Sequence, residues 1–186
     1  MGAALIPFDE VLDRLTRVFR DEGYEAASLA NLSRATGLGK ASLYHYFPGG
    51  KADMATAVAE RSNEIFREKI LLPLLGPGEP RMRILGMLDN LDRYYARGED
   101  SCLLGMLAMG GSVTLFQKQV RAGIEGWILA LARVLGEVGF AETDALQRAE
   151  DAVLRIEGAL LVARGIGDAG PFSRTLARMR ETLLEL

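Results

Sequence analysis

Residues 28–51 read SLANLSRATGLGKASLYHYFPGGK, and this is the most informative segment of the chain. Ser28 is a favourable N-cap for a short helix that ends at Gly37, where a tight turn needs a residue without a Cβ atom. A second short helix is predicted over about 40–47, and Pro48 with its two following glycines ends it. Two short helices that meet at a glycine turn are typical of a helix-turn-helix, whose second helix enters the major groove of DNA.

The same stretch divides into a packing side and a free side. Apolar residues such as Leu32 and Leu43 are expected to hold the two helices together. The other side of the second helix carries a lysine, small side chains and aromatic hydrogen-bond donors. These groups suit contacts with the base edges and phosphate oxygens of DNA. A capped helix N-terminus, or one that carries a lysine, also attracts anions. The expected DNA-binding residues are Ser28, Lys40, Ala41, Ser42, Tyr44, His45, Tyr46 and Lys51.

Local charge supports this interpretation although the whole chain has a net charge of −3. Residues 26–52 contain no Asp or Glu but include Arg34, Lys40 and Lys51. A phosphate backbone responds to where charge lies and less to the total. The segment is therefore a candidate polyanion site within an acidic chain.

The remaining sequence predicts an all-α protein of about nine helices. Apolar residues recur at three- and four-residue steps almost throughout, most strongly over 115–138. Pro73, Pro77 and Pro80, with the glycines among them, predict the main loop, since proline opposes helix continuation. We expect a helix-turn-helix domain over 1–50, a connecting helix and loop over 51–80, and a second helical domain over 81–186, to which the family resemblance described next assigns ligand binding and dimerisation.

Residues 8–54 resemble the DNA-binding domain of the TetR family of transcriptional regulators. The matching features are Phe19, Gly23-Tyr24, Ser28-Leu29, Ala35-x-Gly37-Leu38, and the run SLYHYFPGGK over 42–51. More loosely, SCLLG at 101–105 and EGALLVAR at 157–164 resemble the ligand domain of the multidrug- and lincomycin-resistance subgroup. The resemblance implies a homodimer joined by its last two helices and a double-stranded operator with two-fold symmetry. It also implies a repressor that releases DNA when a small molecule fills the C-terminal domain.

The C-terminal half offers candidates for binding an apolar or amphipathic effector. A mostly apolar cavity with aromatic rings, adaptable methionines and a few polar groups suits such a ligand. The same residues would equally serve as core, and the sequence leaves both roles open. Cys102 is expected to be a small buried residue and not a redox sensor. The ligand-binding candidates are Leu91, Tyr95, Met106, Met109, Phe116, Trp127 and Glu157.

Several function classes are disfavoured. No apolar run is long enough to span a bilayer, and a single cysteine suits the reducing cytoplasm, where we expect the protein to act without membrane contact. His45 is the only histidine, so neither a metal site nor a His-based triad is expected, and no cofactor is expected. Two alternatives stay open: a helical enzyme that uses a C-terminal cavity, and a helical interaction module that never contacts DNA. Ligand turnover would indicate the first alternative, and DNA binding that weakens steeply with salt would exclude the second.

Overall fold

The computed structural model describes residues 6–109, 111 and 113–185, and within these ranges it contains helices and no strand. The all-α prediction is confirmed. The helices are α1 (Phe8–Ala26), α2 (Leu29–Thr36), α3 (Lys40–Tyr46), α4 (Lys51–Phe66), α5 (Pro80–Tyr94), α6 (Leu103–Ala108), α7 (Val113–Val138), α8 (Glu142–Ile166) and α9 (Gly170–Thr182).

The boundaries of α1 and α2 follow from local chemistry. Gly23 has a φ of 75° and kinks the last turn of α1, and Gly37 ends α2 in the left-handed region with a φ of 73°. Glycine occupies this region without the Cβ penalty of other residues. At the start of α2, Ser28 Oγ accepts a hydrogen bond from the Asn31 amide at 3.1 Å. The predicted N-cap and the predicted turn are both confirmed.

The predicted loop between the halves is shorter than expected. After α4 the chain continues through a π-helical turn, Arg67–Leu71, and one further α-helical turn, Leu72–Leu75. The sequence-based prediction that Pro73 would stop the helix is wrong, because Pro73 lies in the first turn of that last segment, where a missing N–H costs little. Buried Ile70 and Leu74 secure the continuation.

The chain forms two compact units. The first contains the residues up to Asn63 together with Leu103–Val120, and the second contains Glu64–Cys102 and the residues from Arg121 onward. This division differs from the expected boundaries because α6 and the start of α7 pack with the N-terminal helices. Among the described residues, no helix is long and apolar enough to cross a membrane.

Each unit has its own apolar core. Burial of apolar surface is the main stabilising contribution to such helical packing. In the first unit, fully buried residues from α1, α2, α3 and α4 meet. The second core draws on α5, α7, α8 and α9 and on the extension of α4. The principal first-unit residues are Val11, Leu15, Phe19, Leu32, Leu43, Met54 and Val58, and those of the second unit are Ile70, Leu74, Leu88, Leu91, Leu131, Ile156 and Phe172.

Helix α8 is apolar on two sides. One side packs into the second core through a row that includes Ala149, Val153, Ile156 and Leu160. The other side is open to solvent, although it carries large apolar residues at helical spacing. We call this open side the α8 stripe: Leu154, Leu161, Val162 and Ile166, which are 69%, 53%, 50% and 62% exposed.

Candidate nucleic-acid interface and ligand site

Helix α3 has one buried side and one exposed side. Leu43 and Phe47, the residue that follows the helix, are buried in the first core. Tyr44 is exposed over 45% of its surface. Five of the predicted DNA-binding residues therefore share one solvent-facing surface: Lys40, Ala41, Ser42, Tyr44 and His45.

A network of side chains fixes the turn that aims α3. Arg14 of α1 donates to the Thr36 carbonyl at 3.1 Å. Ser33 donates to the Leu38 carbonyl at 2.6 Å, and the Leu38 amide donates to Thr36 Oγ1 at 3.3 Å. These bonds satisfy backbone groups that the helix end would otherwise leave open. The exposed surface of α3 is thus held by a rigid turn, which favours a fixed recognition geometry.

Acidic residues are absent from the first turns of α2 and α3. No carboxylate in the first turn of either helix therefore neutralises the positive end of its dipole. Arg34 and Lys40 are both exposed nearby in sequence. This charge distribution is favourable for a phosphate backbone.

Tyr46 differs from its neighbours on α3. Its side chain is only partly exposed, and its ring centroid lies 5.8 Å from that of Phe8 on α1. The Phe47 ring also stacks on Phe8, with the two ring centroids 5.7 Å apart. The structure therefore gives Tyr46 a packing contact that the sequence did not predict, and the Phe8 ring at the start of α1 shields it.

Lys51, the first residue of α4, lies against the end of α1. Its Nζ donates to the backbone carbonyls of Tyr24 at 2.9 Å and Glu25 at 3.3 Å. The same ammonium lies 4.5 Å from the centroid of the Tyr24 ring. Just before this helix, the Gly49 amide donates to the Asp53 carboxylate, which places a negative charge at the start of α4.

In the second unit, aromatic rings form a continuous cluster. The Phe66 ring lies 5.1 Å from Trp127 and 5.4 Å from Tyr94, and Tyr95 lies 5.9 Å from Phe172. Trp127 is the only tryptophan in the chain and is 2% exposed. Within the part of the chain that the structure describes, its buried Nε1 has no hydrogen-bond partner, which is costly unless another group accepts that proton.

Polar groups border this aromatic cluster. The Tyr95 hydroxyl and the Glu157 carboxyl each form a hydrogen bond with Cys102. Burial is the main cause that raises the pKa of Glu157, and the Cys102 hydrogen bond opposes it. Burial likewise raises the pKa of Tyr95 well above its ordinary value, with Cys102 and Glu157 adding to the effect. Tyr95 is thus a neutral phenol at physiological pH. The half-buried Glu157 carboxyl keeps its proton to a higher pH than an ordinary glutamate does.

The seven predicted ligand-binding residues do not lie in one unit. Leu91, Tyr95, Trp127 and Glu157 belong to the second unit. The other three belong to the first, where Phe116 packs against Tyr24 with ring centroids 4.9 Å apart. Sequence reasoning also missed several members of the aromatic cluster, whose helical spacing resembles that of ordinary core. The three first-unit candidates are Met106, Met109 and Phe116, and the missed rings are Phe66, Tyr94 and Phe172.

Replacing Glu157 by glutamine is expected to change how stability depends on pH. The folded pKa lies above the unfolded pKa, so the folded state binds the proton more tightly. The stability of the parent protein then falls as pH rises from the unfolded value through the folded one, and the full loss persists above that window. Thermal melts should show E157Q gaining on the parent as the pH rises above about 4.5, because the amide carries no charge to desolvate. A constant difference between the two proteins over this range would contradict the expectation.

Comparison with known protein families gives two matches along the chain. Residues 11–58 match the bacterial regulatory proteins of the tetR family. Residues 83–178 match the C-terminal domain of LmrA/YxaF-like transcriptional regulators. The first match contains the whole helix-turn-helix, and the second covers more than half of the chain.

Individual proteins agree with these matches. The HTH-type transcriptional regulator LmrA of Bacillus subtilis strain 168 is 26% identical over 159 residues, which cover 83% of this chain and 85% of LmrA. A TetR transcriptional regulator from Legionella pneumophila has the same fold, with a TM-score of 0.83 at 23% identity over 98% of this chain and 99% of that one. The regulator CifR, solved with double-strand operator DNA, superposes with a TM-score of 0.79 at 20% identity over 97% and 99% of the two chains.

Proposed function

Because this chain belongs to the TetR family of bacterial transcriptional regulators and is a DNA-binding regulator, we propose that it represses transcription from a two-fold symmetric operator until a small molecule releases it. The observation that carries the proposal is the exposed surface of α3, which presents Lys40, Tyr44 and His45. The rigid turn before α3 holds this surface in place. Small Ala41 and Ser42 permit close approach to base edges, and Lys40 suits a guanine or a phosphate. This role would be exercised in the cytoplasm, where bacterial DNA lies.

A homodimer supplies a second copy of the recognition helix α3. The α8 stripe is an open apolar surface next to a groove that Val162 of α8 shares with Pro171 and Thr175 of α9. Contiguous exposed apolar surface of this kind favours protein association, and a two-fold axis pairs the same patch with itself. Two copies of α3 would then meet successive major grooves about 34–36 Å apart, or a multiple of that distance. The CifR structure with operator DNA is one instance of such a fold bound to DNA.

We place the effector at the aromatic cluster of the second unit. The unpartnered Trp127 Nε1 would donate to an acceptor on the ligand, and the neighbouring rings would contact its apolar surface. Glu157 and Tyr95 contribute a polar edge. These groups favour a flat, largely apolar molecule that carries a hydrogen-bond acceptor.

Catalysis receives no support from the site residues. His45, the single histidine of the sequence, lies on the exposed surface of α3, a helix that contains no acidic residue. General acid–base chemistry needs such groups within hydrogen-bond reach of one substrate. We therefore propose binding without turnover.

Two measurements test the proposal. The purified protein is first used to select duplexes from a random DNA library, and a two-fold symmetric consensus is expected, with affinity that falls steeply as salt rises. A small-molecule library is then screened by thermal shift, since a ligand of the folded state raises its stability. Hits are expected to change the fluorescence of Trp127 and to release the selected duplex. Selection of no sequence would remove the operator proposal, and hits that bind without releasing DNA would remove the effector proposal alone.

A further inference from the structure

We propose that Ser33 and Thr36 of α2, together with Arg14 of α1, are positioning residues that determine how well the protein discriminates its operator from other DNA. The proposal rests on the proposed operator recognition and goes beyond it, because none of these three residues is among the expected DNA contacts. They act on the turn of residues 37–39, which sets the direction of α3. All three belong to the first unit.

The turn between α2 and α3 has little rigidity of its own. Two of its three residues, Gly37 and Gly39, are glycines, and glycine has the widest backbone freedom of all residues. Gly39 also occupies the N-cap position of α3, where it has no side chain to accept a hydrogen bond from the first amides of the helix. The direction of α3 therefore depends on hydrogen bonds that other parts of the chain supply.

Two hydroxyl groups of α2 supply bonds of this kind. Ser33 Oγ donates to the Leu38 carbonyl at 2.6 Å, and Thr36 Oγ1 accepts from the Leu38 amide at 3.3 Å. Both polar backbone groups of the central turn residue are thus bonded to side chains of the preceding helix. Thr36 is fully buried, and its hydroxyl also donates to the Leu32 carbonyl at 2.8 Å. Packing and this second bond fix the position from which Thr36 holds the turn.

Arg14 connects the same turn to α1. Its Nη1 donates to the Thr36 carbonyl at 3.1 Å, at the carbonyl end of α2, where a cation is favourable. Its Nε donates to the Glu10 carboxylate at 2.8 Å, one helical turn earlier in α1. The guanidinium is therefore held from one side by a carboxylate while its other side bonds the turn. Together with the two hydroxyls, it joins α1 and α2 into one support for α3.

A loosened turn would affect the two parts of DNA affinity differently. Contacts with base edges require side chains that are held within about 0.5 Å of the productive geometry. Attraction between positive charge and the phosphate backbone does not depend on sequence and tolerates larger displacements. Lys40 directly follows the turn, so a change in the direction of α3 would displace it together with Tyr44. The three positioning residues should therefore contribute to operator affinity and little to non-specific affinity.

A double variant without the two hydroxyls tests this difference. S33A/T36V removes both groups, and valine keeps the volume of the buried Thr36 side chain. We expect affinity for the selected duplex to fall by at least about tenfold, as for the loss of one base contact, while affinity for a scrambled duplex stays within about twofold of the parent. Fluorescence anisotropy measures both affinities. In the free protein, the Leu38 amide should exchange its hydrogen faster than in the parent, because it loses its bond to Thr36.

Arg14 is tested by a variant that keeps its charge. A lysine lacks the planar fork of donors that serves Glu10 and the turn at the same time. R14K should therefore lower the ratio of selected to scrambled affinity without a change in the net charge of the protein. An unchanged ratio in R14K would remove Arg14 from the proposal.

Matched controls separate positioning from general loss of stability. Thr16 Oγ1 donates to the Leu12 carbonyl at 2.8 Å within α1, so T16V removes the same kind of hydroxyl bond away from the turn and should keep the parental ratio. S33T keeps the hydroxyl and should also bind like the parent. If the double variant does not fold, S33A alone replaces it, because Ser33 is only partly buried.

Two results would overturn the proposal while operator recognition stands. One is an unchanged affinity ratio in S33A/T36V, and the other is an equal loss of affinity for the selected and the scrambled duplex. A parent protein that selects no duplex would instead overturn the operator proposal, and this proposal with it.

Discussion

Alanine at both Lys40 and Tyr44 is expected to lower operator affinity by at least about 100-fold while the protein remains folded and dimeric. Both side chains lie on the exposed side of α3, so their removal exposes no core. Each lost base or phosphate contact costs roughly 1–3 kcal/mol, and about 1.4 kcal/mol corresponds to a factor of ten. Titration of the selected duplex by fluorescence anisotropy measures the loss, and thermal melting checks the fold.

A matched control separates local contact from general charge. Lys118 on α7 is also an exposed lysine of the first unit, and K118A removes the same charge away from α3. We expect its affinity to stay within about twofold of the parent, since a single distant charge is largely screened at physiological salt. Y44F then separates the hydroxyl from the ring of Tyr44. Equal losses in K118A and in the double variant would contradict a specific role for α3.

Glutamate at Leu161 is expected to separate the dimer into monomers and to abolish operator binding as a consequence. Leu161 lies in the middle of the α8 stripe, and a two-fold axis doubles each substitution, so that two like charges enter one apolar interface. An unpaired buried charge costs about 3–5 kcal/mol, which corresponds to a rise of roughly 100- to 1,000-fold or more in the dimer dissociation constant. Light scattering coupled to size exclusion measures the mass directly.

Leu129 provides the control for this experiment. It is a leucine of α7 that is 62% exposed and lies outside the α8 stripe. L129E adds the same charge to the surface, and we expect it to remain dimeric and to bind DNA. A dimeric L161E, or a monomeric L129E, would place the interface elsewhere on the chain.

Local rules predicted the helix-turn-helix well because its signals are local. The Ser28 cap and the Gly37 turn each depend on residues within one helical turn, and both appear in the structure. The burial of Leu43, which the sequence analysis expected between the two short helices, is also seen in the structure. A single sequence is sufficient where a backbone position needs a particular residue type.

The incorrect or missing predictions concern features that depend on contacts between residues far apart in the sequence. The sequence predicts a helix stop at Pro73, yet a π-helical turn before it and the buried Ile70 and Leu74 allow the helix to continue. The partners of Lys51 lie 27 and 26 positions away, at Tyr24 and Glu25, and no periodicity reports such a pair. For a similar reason, the sequence did not show that the ligand-binding candidates belong to two different units. An apolar residue at helical spacing reveals that it is buried, but it does not reveal which core receives it.

The open α8 stripe also has a consequence for gene control. If a second copy covers it, each unpaired subunit carries exposed leucine, valine and isoleucine until it finds its mate. At concentrations well below the dimer dissociation constant, dimers accumulate with the square of subunit number, and operator occupancy follows them. Halving the copy number in a cell would then remove about three quarters of the dimers. The regulated promoter would respond to the square of the amount of protein, and the four apolar side chains of the α8 stripe would set the concentration range of that response through the dimer dissociation constant.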